Sequence, residues 1–168
     1  MPDFLDEMTQ SVPALRRYAN ALTHDREAAD DLVQDCLERA IRKRALWRPV
    51  GPLRPWLYKV LTNVWRNDIR NRGRRPAQVS IDAVAERLSV PAAQTGRVAL
   101  AEMARAIEGL SPEHREALLL VVVEGLSYAE AAAVLGIPLG TLMSRLGRAR
   151  SILARMTQED RPNLKVIK

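Results

Sequence analysis

The chain has 168 residues, enough for one medium domain or two small ones, and its 47% apolar and 27% charged residues exclude wholesale disorder. Basic residues outnumber acidic ones 26 to 20, for a net +6 and an isoelectric point near 10.1, a balance that favours anionic partners, nucleic acid before a membrane surface. One cysteine, Cys36, excludes an internal disulfide, and two histidines, His24 and His114, leave almost nothing for a protein-only metal site. No apolar run reaches the length of a membrane span, and Asp3, Asp6 and Glu7 stand where a targeting leader is basic, so a reducing cytoplasm and no membrane insertion are expected.

From the N-terminus, "VPALRRYANAL" places Leu15, Ala19 and Leu22 on one helical side. "DREAADDLVQDCLERAIRK" follows with a long apolar stripe through Ala29, Leu32, Val33, Cys36, Leu37, Ala40 and Ile41. Pro49, Gly51, Pro52 and Pro55 interrupt the pattern, and a third helix resumes in "LRPWLYKVLTNVWRNDIRNR". Its apolar face is Leu57, Val60, Leu61 and Val64, opposed by Lys59, Asn63, Arg66, Asn67 and Arg70. Residues 1–78 hold 15 basic and 10 acidic side chains, a net +5.

The next stretch, "RGRRPAQVSIDAVAERLSVPAAQTG", carries Gly73, Pro76, Pro91 and Gly96 between short apolar pieces and reads as a linker with one helical turn around Asp82–Leu88. A second unit follows with clear punctuation. Ser111, Pro112 and Glu113 predict an N-cap, a first-turn proline and an acidic first turn, closed by Gly125 after "HREALLLVVVE". Ser127 with Glu130 predicts a capping box, and Gly136 ends that short helix. A last helix begins near Pro138 or Thr141, with Leu142, Leu146, Ala149, Ile152 and Leu153 as its buried stripe. No segment alternates with period two for long enough to require a strand. The fold class expected is therefore all-α, two small helical domains joined by a flexible linker, the second containing a helix-turn-helix.

Three constellations bear on function. The last helix would present Thr141, Met143, Ser144, Arg145 and Arg148, hydroxyl and guanidinium groups suited to phosphate and major-groove contacts, the alternative being a helical hairpin with a solvated basic face. Arg66, Arg70, Arg72, Arg74 and Arg75 lie near Trp56, Tyr58 and Trp65, a combination suited to unpaired nucleic acid unless both tryptophans are core. Asp30, Asp31, Gln34, Asp35 and Glu38 form an acidic edge that either docks a basic helical partner or is simply solvated. Enzyme chemistry is not expected, since there is no Ser-His or His-Cys arrangement and no glycine-rich phosphate loop, and no cofactor is implied. Cys36, inside an apolar stripe, reads as a small core residue.

The order and separation of "DREAADDLVQDCLERA", "LRPWLYKVLTNVWRNDIRNRGRR" and "LSPEHREALLLVVVEGLSYAEAAAVLGIPLGTLMSRLGRARSIL" resemble the extracytoplasmic-function (ECF) RNA polymerase sigma factors of the sigma-70 superfamily, in particular those of the alphaproteobacterial general stress response. The resemblance implies a region 2 domain over residues 8–78, a linker over 79–104 and a region 4 domain over 105–158. By it, Asp31, Leu32, Val33, Gln34 and Asp35 dock on the beta-prime coiled coil of core RNA polymerase. Asn63, Arg66, Arg70, Arg72, Arg74 and Arg75 contact the minus-ten element and hold the non-template strand. Ser127 and Tyr128 lie near the DNA backbone, while Thr141, Ser144, Arg145 and Arg148 face the minus-thirty-five element of promoter DNA. Further implied partners are the polymerase beta flap and an anti-sigma factor.

Two departures stand out. Met143 replaces a common lysine and Gly147 a histidine or other polar residue, which weakens the electrostatic part of DNA binding while offering a thymine methyl an apolar contact. They raise the alternative of a sigma-like mimic that sequesters an anti-sigma factor. Such mimics usually carry a receiver domain, which this sequence lacks, and the basic "RNRGRR" is retained, so a sigma factor is the favoured reading.

Overall fold

The computed structural model describes residues 3–48, 51–73 and 94–159, of which 94–100 and 157–159 by backbone alone. The expected turn at Asp82–Leu88, and Arg74 and Arg75, lie outside the described residues. Helix α1 runs over Phe4–Thr23, α2 over Arg26–Arg42 and α3 over Leu53–Arg72, with a short 3-10 turn at Arg44–Leu46. The second unit consists of α4 (Gln94–Glu108), α5 (Pro112–Leu118), α6 (Tyr128–Leu135) and α7 (Leu139–Glu159).

Helix α1 starts well before the stretch that the apolar spacing marks. Asp3 caps it by accepting from the Phe4 N–H at 2.7 Å, Asp6 and Glu7 complement the helix dipole, and Phe4, Met8 and Ser11 extend the buried stripe toward the N-terminus. Pro13 sits inside the helix on its exposed side, where the carbonyl it leaves unpaired is free to meet water. The helix ends at His24, whose left-handed backbone (φ 54°) closes it, and Asp25 immediately caps α2 through the Glu27 and Ala28 N–H groups. The predicted stripe of α2 is buried except at its edge, where Leu37 is half-buried and Ile41 exposed.

Helix α3 lacks a side-chain cap of its own; instead the Leu53 N–H donates to Glu7 Oε2 of α1 at 3.2 Å. Phe4 packs against Trp47 and Trp56, with ring centroids 5.6 and 6.2 Å apart, so Trp56 helps to seal the end of the first unit. Cys36 is buried, its Sγ 3.5 Å from the Leu57 carbonyl, and burial pushes the thiol up to about 12, which makes it a packing residue.

In the second unit α4 takes up the last part of the expected linker, beginning at Gln94. Arg115 ties α4 to α5 by donating to the carbonyls of Ile107, Glu108 and Leu110. The capping box at Ser127 and Glu130 and the left-handed Gly136 (φ 65°) are as the sequence predicts. One feature has no counterpart in the pattern: α5 continues into a π turn over Leu119–Val123 before Gly125 (φ 70°) ends it. The Glu124 N–H bonds back to the Leu119 carbonyl at 2.9 Å, five residues away, which is the π register.

The two units pack directly on each other. Helix α3 lies against α6, and α1 against α5 and the π turn. Their apolar side chains form one continuous core, from Leu15, Tyr18 and Leu61 in the first unit to Leu120, Leu135 and Leu146 in the second.

Two glycines separate backbone need from side-chain space. Gly136 has room for a methyl group but a positive φ, so Gly136→Ala should cost about 1 kcal/mol. Gly147 is helical with open space where a Cβ would stand, so Gly147→Ala should stabilise by about 0.5–1 kcal/mol. Urea unfolding of both variants checks the opposite signs.

Candidate functional site

The joint between the units is built on two buried carboxylates. Glu124, with its side chain fully buried, accepts a two-pronged contact from Arg17, Nε to Oε1 at 2.9 Å and Nη2 to Oε2 at 2.7 Å. Arg54 Nη2 donates to the same Oε2 at 2.9 Å and to the Glu124 carbonyl at 3.1 Å, and the Tyr58 hydroxyl completes the set. Glu116 accepts from Arg66 through Nε at 3.2 Å and Nη2 at 2.7 Å, while Arg66 Nη1 satisfies the Leu135 carbonyl at the end of α6 at 3.0 Å. Below these pairs Tyr18 and Tyr58 meet edge to face, 5.2 Å between centroids, and the Tyr18 hydroxyl lies 3.4 Å from Thr62 Oγ1.

Burial pushes Glu124 up, but the hydrogen bonds from Arg17, Tyr58 and Arg54 outweigh it and hold the carboxyl below its ordinary value. Desolvation, then the nearby Arg115, pulls His24 down, so its 3.6 Å contact with Glu108 is a polar contact rather than an ion pair at neutral pH.

The implied polymerase-docking segment divides. Asp31 and Gln34 are exposed and Asp35 half-buried, 3.2 Å from Arg39, whereas Leu32 and Val33 are core residues, Leu32 also lining the groove beside the acidic edge. Thr23, Asp31, Gln34, Asp35, Asp68 and Arg72 line a shallow open groove of about 640 Å³. Arg72, exposed at the end of α3, lies beside the acidic edge. Asn63 and Arg70 are exposed on α3, but Arg66 is engaged by Glu116. Trp65 is half-buried against the core, and its Nε1, like His114 Nδ1, is buried without a partner among the described residues.

On the helix-turn-helix, Ser127 and Tyr128 start α6 and are exposed, as are Thr141, Met143, Ser144 and Arg148 on α7. Arg145 is different: its side chain is 18% exposed and lies 3.4 Å from Glu113 of α5, so it braces two helices. Residues that sequence reasoning missed are Arg17, Arg54, Glu116 and Glu124, because charged side chains on helices read as solvated. The usable signal is Glu124 recurring in register with Ala117 and Leu120, a carboxylate on an apolar stripe. Among the described residues no cluster is placed to hold a metal ion, and no helix is long and apolar enough to cross a membrane.

Residues 8–62 match the family described as the Sigma2 domain of PhyR, and residues 100–153 match sigma-70 region 4. The chain is 37% identical over 155 residues to the ECF RNA polymerase sigma factor EcfG of Rhodopseudomonas palustris, covering 92% of this chain and 85% of that protein. It is similar in structure to the sigma factor RpoE, solved in complex with the anti-sigma factor NepR from Bartonella quintana, at a TM-score of 0.78 and 36% identity, covering 96% of this chain and all of that one. A second neighbour is the PhyRSL–NepR complex from Sphingomonas sp. Fr1, at a TM-score of 0.65 and 26% identity, covering 96% of this chain and 94% of that one.

Glu124→Ala should cost about 2 kcal/mol in urea unfolding, since it removes the acceptor of the buried Tyr58 hydroxyl and the partner of two part-exposed guanidinium groups. The depressed Glu124 value fixes the sign with pH. Its contribution is complete above the unfolded value of 4.5 and is lost as pH falls through the folded one, so the stability gap between the native chain and Glu124→Gln should close in acid.

Proposed function

The chain belongs to the ECF RNA polymerase sigma factors of the sigma-70 superfamily, and from that premise we propose how its surfaces divide the work of promoter recognition. The observation that carries this reading is that both units occur in order, over more than nine-tenths of the chain, at 36–37% identity to sigma factors. A sigma factor makes and breaks no bonds. It supplies two weak DNA-reading surfaces whose separation the polymerase fixes, so that their affinities combine through effective concentration.

The acidic edge of α2, reduced to Asp31, Gln34 and Asp35 on the surface, is the docking site for the beta-prime coiled coil; Leu32 and Val33 support it from the core. The second unit engages the beta flap. Asn63, Arg66, Arg70 and Arg72, followed in the sequence by Arg74 and Arg75, serve the minus-ten strand. Thr141, Ser144 and Arg148 read the minus-thirty-five duplex beside Met143, with Ser127 and Tyr128 near its backbone. An anti-sigma factor controls the chain in the cytoplasm, a reading supported by the NepR complex of the RpoE relative, and the regulon is one of general stress.

The match of residues 8–62 to the Sigma2 domain of PhyR favours a second reading, a mimic that sequesters an anti-sigma factor. Identity to EcfG over most of the chain, at 37% against 26% for PhyRSL, favours the sigma factor.

Reconstitution with core polymerase on fragmented genomic DNA, followed by transcript sequencing, should give discrete start sites sharing two upstream elements; binding to the anti-sigma factor without transcription would establish the mimic. Charge reversal of Asp31 and Asp35 should weaken core binding with helicity intact, and unchanged affinity in a titration would remove that docking site. Met143→Lys should strengthen holoenzyme binding across all upstream sequences and steepen the log affinity–log salt slope by about 0.9, one phosphate contact. A flat response would place α7 off the DNA.

A further inference from the structure

The three arginines at the joint differ from the carboxylates they hold. Side chains of Arg17, Arg54 and Arg66 are 52%, 40% and 32% exposed, whereas those of Glu124 and Glu116 are 0% and 3% exposed. If the units part, the carboxylates leave with the second unit. The first is left with three guanidinium groups already a third to a half in water, those of Arg17 and Arg66 without their carboxylate partners and that of Arg54 keeping only its bonds to the Tyr58 hydroxyl, on a unit of net +5 over residues 1–78. The planar fork that grips Glu116 and Glu124 fits a phosphate equally well. Stability alone does not call for this chemistry, since apolar side chains of similar volume often hold two surfaces as firmly as buried ion pairs do.

We propose that Arg17, Arg54 and Arg66 form a phosphate-binding face for unpaired DNA, and that Glu116 and Glu124 occupy the places of phosphates while the chain is free. The proposal rests on the assignment of Arg66 to the minus-ten strand, and it extends that surface to Arg17 and Arg54, which lie outside the segments that the resemblance assigns to DNA. It also makes the packed arrangement self-blocking. The strand and the second unit compete for the same donors, so free chain binds DNA poorly until polymerase separates the units.

The test is fluorescence anisotropy of a labelled 20-nucleotide oligodeoxythymidylate with the full chain, because phosphate contacts tolerate any sequence. E116Q/E124Q keeps the side-chain shapes, removes both charges, and should bind about tenfold more tightly than the native chain. Its salt slope should steepen by about 0.7 for each additional phosphate bound, and adding R17A/R54A should abolish the tighter binding. Equal affinity and slope in E116Q/E124Q and native chain, with native circular dichroism, would overturn the proposal, as would tighter binding that survives R17A/R54A. Should the double variant lose helicity, E124Q alone carries the same expectation at about threefold. Tighter binding of a polyglutamate peptide without tighter binding of the oligonucleotide would assign the face to an acidic protein and overturn the proposal too. Normal promoter melting by holoenzyme carrying R66A and R70A would refute the minus-ten assignment separately, whatever the oligonucleotide result.

Discussion

Two carboxylates taken out of water have to be paid for with hydrogen bonds, and among the described residues the side-chain donors that reach Glu116 and Glu124 come from the other unit. That constraint fixes the relation between α3 and the helix-turn-helix more narrowly than apolar packing would. An apolar surface tolerates a small slide, whereas a guanidinium fork loses both bonds when it is displaced. Arg66 is held from two directions, by the Glu116 carboxylate and by the carbonyl that ends α6, so the register of the two units is set at one residue.

The π turn explains how Glu124 reaches its site. It inserts a wider turn between Leu118 and Glu124, after which Gly125 reverses the chain, and the outcome is unusual for a soluble helix end: Val122 and Val123 are exposed while the glutamate is buried. The geometry favours the joint over the best burial of apolar side chains. The joint combines two kinds of contact, an apolar core continuous across the units and ion pairs whose bonds water can replace.

Local structure was legible where side chains mark the backbone. Ser127, Glu130 and Gly136 specify α6, Pro112 specifies the start of α5, and the stripe of α2 marks its core residues while overextending to Leu37 and Ile41. That same stripe holds Leu32 and Val33 largely in the core, while the family resemblance places them in a docking segment. The start of α1 was hidden because Pro13 resembles a first-turn proline, while Phe4 and Met8 are too sparse to announce the helix that precedes it. The run Leu118–Val123 has no period, so nothing in it separates a π turn from an α-helix. The arginine–glutamate joint was invisible for a different reason: a charged residue finds its buried partner only through the tertiary fold, over separations such as the 107 residues between Arg17 and Glu124. Arg145, read from its helical position as a DNA contact, also lies 3.4 Å from Glu113 of α5, a pairing that only the fold reveals.

Closure of the free chain rests on these ion pairs over the shared apolar core. Its most direct measure is the distance between spin labels at exposed positions of the two units, N20C on α1 and S151C on α7, by pulsed electron resonance with Cys36 replaced by Ala. The free chain should give one narrow distribution, which moves to a longer distance in the E116Q/E124Q background and on addition of core polymerase. A broad distribution in the free chain, indifferent to both changes, would contradict it.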